Sequence, residues 1–320
     1  MDKDLVIGID VGGQTTKCGI VDARGTVLTR TVIRTDDTTD AKQFISNLAE
    51  ALKRIIAEAG AEGRIRGIGV GAPNGNYYSG NIEFAPNLKW TMDGSKVIPF
   101  AKLLSEEMGI PVSLTNDANA AAVGEMTYGA ARGMKNFIMI TLGTGVGSGI
   151  VINGEVVYGH DGFAGELGHT CAVRYNGRSC GCGKSGCLEA YASAIGVART
   201  AREWLEMSDE PSALRSLENI TSKDVFEAAK EGDELARRVF AFTGRILGEK
   251  FADFIEFSAP EAIVLFGGLA HAKEFLTEPI QQAMDANVLP LWRGKVKLVY
   301  SQLKESDAAI LGASALAWEL

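Results

Sequence analysis

Two stretches decide how this chain folds: Leu5-Val-Ile-Gly-Ile-Asp10-Val-Gly12-Gly13-Gln14-Thr15-Thr16 and Phe137-Ile-Met-Ile-Thr-Leu142-Gly143-Thr144-Gly145-Val-Gly147-Ser-Gly149. Each opens with a short apolar, β-branched run that reads as a buried strand, and each run breaks into a glycine loop. In the first copy a second strand follows at 17–21, then a turn at Asp22-Ala23-Arg24-Gly25 and a third strand. In the second, 150–152 is followed by an Asn153-Gly154 turn and a strand at 155–157. Asn-Gly between two apolar runs is a strong hairpin signal. The same order occurring twice predicts an internally duplicated α/β architecture rather than two unrelated domains. A further buried strand at 262–266 ends in Gly267-Gly268.

Around these copies the pattern turns helical. Residues 39–59 put Phe44, Ile45, Leu48, Leu52, Ile55 and Ile56 on one face, with Thr38 or Thr39 as N-cap and Gly60 as the stop. Strands are expected at 66–70 and 111–114, and helices at 97–108, 118–128, 234–257 and 307–318. The 118–128 helix is rich in small residues and suited to close packing. At 320 residues and 46% hydrophobic, the chain has material for about two cores. A formal charge of −8 is the wrong sign for nonspecific phosphate-backbone binding, so no nucleic-acid partner is expected. Apolar runs fall well short of the ~20 residues that span a bilayer. The N-terminus carries Asp2 and Asp4 where a signal peptide would be basic. No membrane partner is expected, and a cytoplasmic location is.

Glycine is abundant, 38 residues in 320, and its placement carries chemistry. Backbone N–H groups in a glycine loop form a concave donor surface for phosphate oxygens, and the hydroxyls of Thr15, Thr16 and Thr144 stand beside the two loops. One such hairpin is commonly structural; two in a duplicated frame favour phosphate. Gly183-Lys184-Ser185 resembles the end of a Walker A loop, but Gly177 falls one residue too early and Arg178 takes the required position.

Cys180, Cys182 and Cys187, with His169 just upstream, offer three thiolates and an imidazole, a closed tetrahedral set for structural zinc. Disulfide bonding is the rival, disfavoured in a cytoplasmic chain with five cysteines, and buried free thiols are the alternative; Cys171 is a competing ligand and Cys18 reads as core. Asp117, following Asn116 at a strand-to-helix junction, can accept a hydroxyl proton while Asn116 fixes that hydroxyl, or can serve as the helix N-cap. Glu166 and Glu189 flank the cysteine cluster, where metal wrapping would turn them toward vicinal sugar hydroxyls.

Together Asp10-Val-Gly-Gly13, Ala85-Pro-Asn87-Leu-Lys-Trp90, Asn116-Asp117-Ala-Asn119-Ala, Gly143-Thr-Gly-Val-Gly-Ser-Gly149, Gly165-Glu-Leu-Gly-His169 and Cys180-Gly-Cys-Gly-Lys-Ser-Gly-Cys187-Leu-Glu189 resemble the ROK family (repressor, open reading frame, kinase). These are bacterial sugar kinases and regulators of the actin-like superfamily that also contains hexokinases. The resemblance implies a duplicated actin-like ATPase (ribonuclease H-like) fold, two lobes with a cleft between them. The small lobe would be 1–115, completed by 307–320, and the large lobe 116–306 with the zinc motif. It implies Asp117 as catalytic base, sugar contacts from Asn87, Asn116, Glu166, His169 and Glu189, and zinc on His169, Cys180, Cys182 and Cys187. Asp10, Gly12, Gly13, Thr15, Gly143, Thr144 and Gly145 would face the phosphates of ATP and its Mg²⁺, and Gly267 and Gly268 the adenosine. Asn74 stands after Pro73 where the family has Gly, a position Asn tolerates in a left-handed turn. A homodimer is expected.

The expected reaction is ATP-dependent phosphorylation of a hexose, glucose to glucose 6-phosphate in the first instance, with N-acetylmannosamine or another hexose as alternative. The rival of another class is a sugar-responsive transcriptional regulator lacking its DNA-binding domain. Such regulators need an added N-terminal domain, for which a first strand at Leu5 is expected to leave no room.

Overall fold

The computed structural model describes residues 3–320; Asp2 lies outside them. The first half builds β1 (Leu5–Val11), β2 (Thr15–Asp22) and β3 (Val27–Arg34), an antiparallel meander in which Asp10 pairs with Lys17 and Val11 with Thr16. Helix α1 (Ala41–Glu58) buries the expected face, but its N-cap is Asp40, whose carboxylate accepts from the Lys42 N–H. Thr38 is drawn off to accept from the Asp40 N–H at 3.1 Å, so the helix starts two residues later than expected.

After β4 (Ile65–Ala72) and β5 (Ile82–Glu83), the helix expected over 97–108 is corrected. Residues 97 and 98 form β6 (Val97–Ile98), paired with β5, and α2 (Phe100–Met108) starts only after Pro99. Proline disfavours the helical region for the residue before it, which holds Ile98 extended. β7 (Val112–Asn116) then runs directly into α3 (Asp117–Tyr128).

The second half repeats the path. β8 (Phe137–Leu142), β9 (Val146–Ile152) and β10 (Glu155–Val156) form a meander whose turn residues Asn153 and Gly154 both have positive φ, 55° and 85°. A long excursion through α4 (Glu189–Ala192), α5 (Ala194–Met207), α6 (Ser222–Lys230) and α7 (Glu234–Ser258) precedes β11 (Ala262–Phe266). Then come α8 (Lys273–Asn287), β12 (Lys297–Tyr300) and α9 (Glu305–Ala315). The C-terminal helix thus begins before 307 and tightens into a 3₁₀ turn at Leu316–Glu319.

The sheet orders are β3-β2-β1-β4-β7 and β10-β9-β8-β11-β12, the same topology twice, with the last two strands of each parallel to the first. This is the duplicated actin-like plan. α9 lies directly on the first sheet: a Cβ on Gly8 would fall 2.0 Å from the Ile310 carbonyl oxygen and one on Gly69 1.9 Å from that of Ala313. α3 sits between the sheets, against β4 and β9.

One core packs β1, α1 and α2, with Phe44, Trp90 and Phe100 in mutual contact (Phe44 to Trp90, 4.1 Å between centroids). Phe44 and Phe100 are fully buried, each worth about 1.5–3 kcal/mol. A larger core packs α5 to α8 against the second sheet. Among the described residues, no helix is long and apolar enough to cross a membrane.

Candidate active site and metal centre

Parallel strands of both sheets end toward a shared cavity of ≈ 680 Å³ between them. Asn87, Asn116, Asp117, Glu166, His169 and Glu189 all line it, and Gly143, Thr144, Gly145 and Gly267 form its other wall. Residues drawn from six separate parts of the sequence thus meet in one space.

Each is held by local structure. Leu88 and Trp90 are buried on one side of Asn87, and the Trp90 indole N–H donates to the Thr35 carbonyl at 3.0 Å. Asn87 therefore stands exposed on an anchored loop. At the β7–α3 junction Asn116 has extended backbone, and its Oδ1 accepts the Ala118 N–H at 2.9 Å. The cap position belongs to Asn116, which leaves only its Nδ2 for a ligand. Asp117 Oδ1 shares that N–H at 2.8 Å, so one carboxylate oxygen is oriented and the other remains open to the cavity. Asp117 is exposed to the cleft, yet the protein crowded around the cleft desolvates its carboxylate and raises its pKa, opposed by the backbone N–H groups of Ala118 and Asp117.

Ser148 on β9 shapes the next segment. Its Oγ donates to the Gly165 carbonyl and accepts from the Leu167 N–H at 3.0 Å, fixing the turn that carries Glu166. Burial raises the Glu166 pKa, with His169 opposing. Glu189 joins three features: it lines the cavity, its Oε2 accepts the Val146 N–H at 3.0 Å, and its Oε1 lies 3.5 Å from Cys180 Sγ.

Asp10 is not in the large cavity. It lines an adjoining space of ≈ 200 Å³ that shares Asp117, Thr141 and Phe266 with it. Burial, and then the charge of Asp117, raise the Asp10 pKa to about 6 against the pull of Lys17. Gly12, Gly13, Thr15 and Gly268 line neither space. Gly13 backs onto Asn87, where a Cβ would stand 2.9 Å from the carbonyl oxygen, and the Gly12 N–H donates to the Thr15 carbonyl at 3.1 Å. Thr16 is removed from the phosphate-facing set: its hydroxyl is buried against that of Thr35 at 2.8 Å. Sequence reasoning missed the third wall. Gly267, His271, Lys273 and Tyr300 line a ≈ 170 Å³ recess beyond Phe266, built from a strand end, a helix start and β12, and no local motif signals it. Asn74 has φ 50°, the left-handed turn expected of it, and lines the main cavity.

The ligand atoms of His169, Cys180, Cys182 and Cys187 lie within 4.8 Å of one another. Cys182 Sγ to Cys187 Sγ is 3.7 Å, and Cys180 Sγ to His169 Nδ1 is 3.7 Å. A tetrahedral ion with bonds of about 2.3 Å to sulfur and 2.0–2.1 Å to nitrogen requires S···S of about 3.8 Å and S···N of about 3.6 Å. These two separations match a tetrahedral zinc, and the full set, spread over as much as 4.8 Å, has to draw in by about 1 Å to close on the ion. Cys171 is outside the set, exposed, and Cys18 is buried in the first core.

Arg178, which spoiled the Walker spacing, anchors the metal loop. Its nearly buried guanidinium donates to Glu203, the Thr200 hydroxyl at 2.9 Å and the Ala190 carbonyl at 3.2 Å, and stacks 4.6 Å above Tyr191.

The sequence model of the ROK family matches residues 6–319. The chain is 37% identical to a glucokinase of Halalkalibacterium halodurans, over 98% of this chain and 94% of that protein. Among solved structures it is similar to a ROK family glucokinase from Streptomyces griseus in complex with glucose and AMPPNP, with TM-score 0.79, 31% identity, and coverage of 99% of this chain and all of that one. It is also similar to a ROK family transcriptional regulator, a homologue of the E. coli MLC protein, with TM-score 0.87 and 28% identity over 98% of this chain and 78% of that one.

Proposed function

Since the chain belongs to the ROK family, we infer that it is an ATP-dependent hexose kinase acting on glucose. The observation that carries this reading is the single cavity in which Asp117, open on one oxygen, faces Glu166, His169 and Glu189 on one side and the second glycine loop on the other. Asp117 takes the proton from the 6-hydroxyl as that oxygen attacks the γ-phosphorus, and a carboxylate of raised pKa is the better acceptor for it. Asn87, the Asn116 amide, Glu166, His169 and Glu189 hold the remaining hydroxyls. The N–H groups of Gly143 to Gly145, the Thr144 hydroxyl and the first loop at Gly12, Gly13 and Thr15 hold the triphosphate, and Gly267 and Gly268 meet the adenosine.

Asp10, in the space adjoining the cavity, would be the carboxylate toward the Mg²⁺ that accompanies ATP, and that ion would supply charge to offset the phosphate oxygens. His169, Cys180, Cys182 and Cys187 would hold zinc in a structural role, and these four residues tie together the segments bearing Glu166 and Glu189. The small lobe comprises 1–115 with the C-terminal helix at 307–320, and the large lobe 116–306. The protein works as a cytoplasmic homodimer, and its net charge argues against DNA as a partner.

A coupled assay over glucose, mannose, fructose, allose and N-acetylmannosamine tests the substrate. The expected result is the highest kcat/KM on glucose. A preference for N-acetylmannosamine would replace the substrate, and sugar binding without turnover would favour the regulator class.

A further inference from the structure

We propose that Cys171 and Cys187 are a redox pair: peroxide joins them in a disulfide, which removes Cys187 from the metal centre and weakens sugar binding. The consequence for the metal rests on the zinc reading above; the pairing itself does not.

The backbone supplies the geometry. Cys171 and Cys187 oppose each other in an antiparallel bridge. The bonds around them run from the Ala172 N–H to the Gly186 carbonyl at 2.7 Å and from the Leu188 N–H to the Thr170 carbonyl at 3.0 Å. Neither cysteine exchanges a backbone hydrogen bond with the other, so they form a non-hydrogen-bonded pair. Residues in such a pair stand about 4.5 Å apart at Cα with side chains on the same face. Disulfides span Cα separations of about 4.4–6.8 Å, so a bridge needs side-chain rotation rather than backbone movement. The segments are held close here: a Cβ on Gly186 would fall 1.9 Å from the Val173 carbonyl oxygen.

The two thiols differ in what they can do first. Cys171 is exposed and lies outside the ligand set, whereas Cys187 is buried and within it. Peroxide reaches Cys171, the S–O bond forms as the O–O bond breaks, and a sulfenic acid and water result. The Cys187 sulfur then attacks the sulfenic sulfur; the S–S bond forms, the S–O bond breaks, and the departing hydroxide takes up a proton as water. Two thiols lose two electrons in all, and one peroxide becomes two waters.

With Cys187 oxidised, the metal keeps only His169, Cys180 and Cys182. The chain two residues on carries Glu189, which lines the sugar wall and holds the Val146 N–H. Disturbing even the surroundings of a metal ligand costs about 10–100-fold in affinity or activity, and losing a ligand should cost at least about tenfold.

The test treats the full-length protein as purified with hydrogen peroxide and follows metal release with a chromophoric zinc chelator. Peptide mapping without reductant locates the disulfide, and sugar and ATP KM are measured before and after. Expected are a Cys171–Cys187 linkage, metal release in step with it, at least a tenfold rise in sugar KM, and recovery with dithiothreitol plus zinc. Cys171→Ser should match the parent before treatment and release metal at least about tenfold more slowly under peroxide. Equal release from Cys171→Ser, or a disulfide confined to Cys180, Cys182 and Cys187, overturns the proposal. Metal analysis before treatment separates the two readings: a zinc-free protein that still forms the Cys171–Cys187 bridge supports the pairing and sinks the zinc assignment.

Discussion

In the first half of the chain the last strand, β7, runs into its helix without a break, and in the second β12 reaches α9 only after residues 301–304. The two helices are otherwise alike. Asn119-Ala-Ala-Ala-Val-Gly124 in α3 and Asp307-Ala-Ala-Ile-Leu-Gly312 in α9 share one small-residue pattern. They cross at their glycines, where a Cβ on Gly124 would stand 2.6 Å from Gly312 Cα. The difference lies at the junctions. The tight one puts Asn116 in the cap and turns Asp117 into the cavity, while the loose one turns the Ser301 hydroxyl inward to donate to the buried Glu125. A duplicated frame thus yields one corner that opens on the cavity and one that closes on a buried carboxylate, and the difference between them is the short loop at 301–304.

The largest expected effect breaks the corner that opens on the cavity. Asp117→Asn keeps the shape and leaves the Asn116 cap in place, and kcat should fall by roughly 10²–10⁴, the contribution of a positioned general base. The glucose Kd, measured by calorimetry, should change much less. Near-parental turnover would mean that the two corners are functionally alike and that the base lies elsewhere.

Asp10 sharpens the contrast between the two glycine loops, because the first loop follows this enclosed carboxylate and the second follows the neutral Leu142. A carboxyl group whose pKa rises from 3.8 to about 6 on folding binds its proton more tightly in the native state. The native protein therefore loses stability as pH climbs through that window, by up to about 3 kcal/mol once Asp10 is ionised. Asp10→Asn should be more stable than the parent at pH 8 by up to that amount, with the gain shrinking as pH falls below 6, while kinase activity drops. Urea unfolding at several pH values reads the first and the coupled assay the second. A stability difference that does not change with pH would show that Asp10 carries no such burden.

Much of this was legible in the sequence because glycine loops, apolar strands and closely spaced cysteines are local signals. The two meanders, the strand at Ala262–Phe266 and the proximity of His169 to the cysteines needed nothing beyond a short window. What failed were competitions between neighbours: Asp40 over Thr38 for a cap, Pro99 over the apolar periodicity of Val97 and Ile98, and Thr35 for the Thr16 hydroxyl. The Gly124–Gly312 crossing was present as a repeat, but its meaning depends on two helices meeting across the molecule. The recess at Lys273 and Tyr300 had no local signal at all.

The crossing itself can be broken. Gly124→Val pushes a branched side chain against Gly312 and the neighbouring Leu311 backbone, where helix backbones and not flexible side-chain ends must give. Overpacking of this kind costs about 1–3 kcal/mol, seen as a lower midpoint in thermal or urea unfolding. An unchanged midpoint would mean the helices do not rest on each other there.

The smallest expected effect separates the two glycine loops by their distance from the metal. On the zinc assignment proposed above, Cys182→Ser removes one ligand, and the disorder it releases reaches Glu189 through the short Cys187-Leu188-Glu189 link. Sugar KM should rise at least about tenfold, because Glu166 and Glu189 both lie on segments tied to the metal. The nucleotide should not be wholly indifferent, since Glu189 also accepts the Val146 N–H at the end of the second glycine loop. The first loop has no such tie: it is braced by the Thr15 carbonyl and by Asn87. ATP KM should accordingly rise by a smaller factor than sugar KM, and removing zinc with a chelator should reproduce the same ratio. Equal rises in both constants would show that the metal supports the whole cleft rather than its sugar wall, and a zinc-free parent with normal sugar KM would remove the metal from the site altogether.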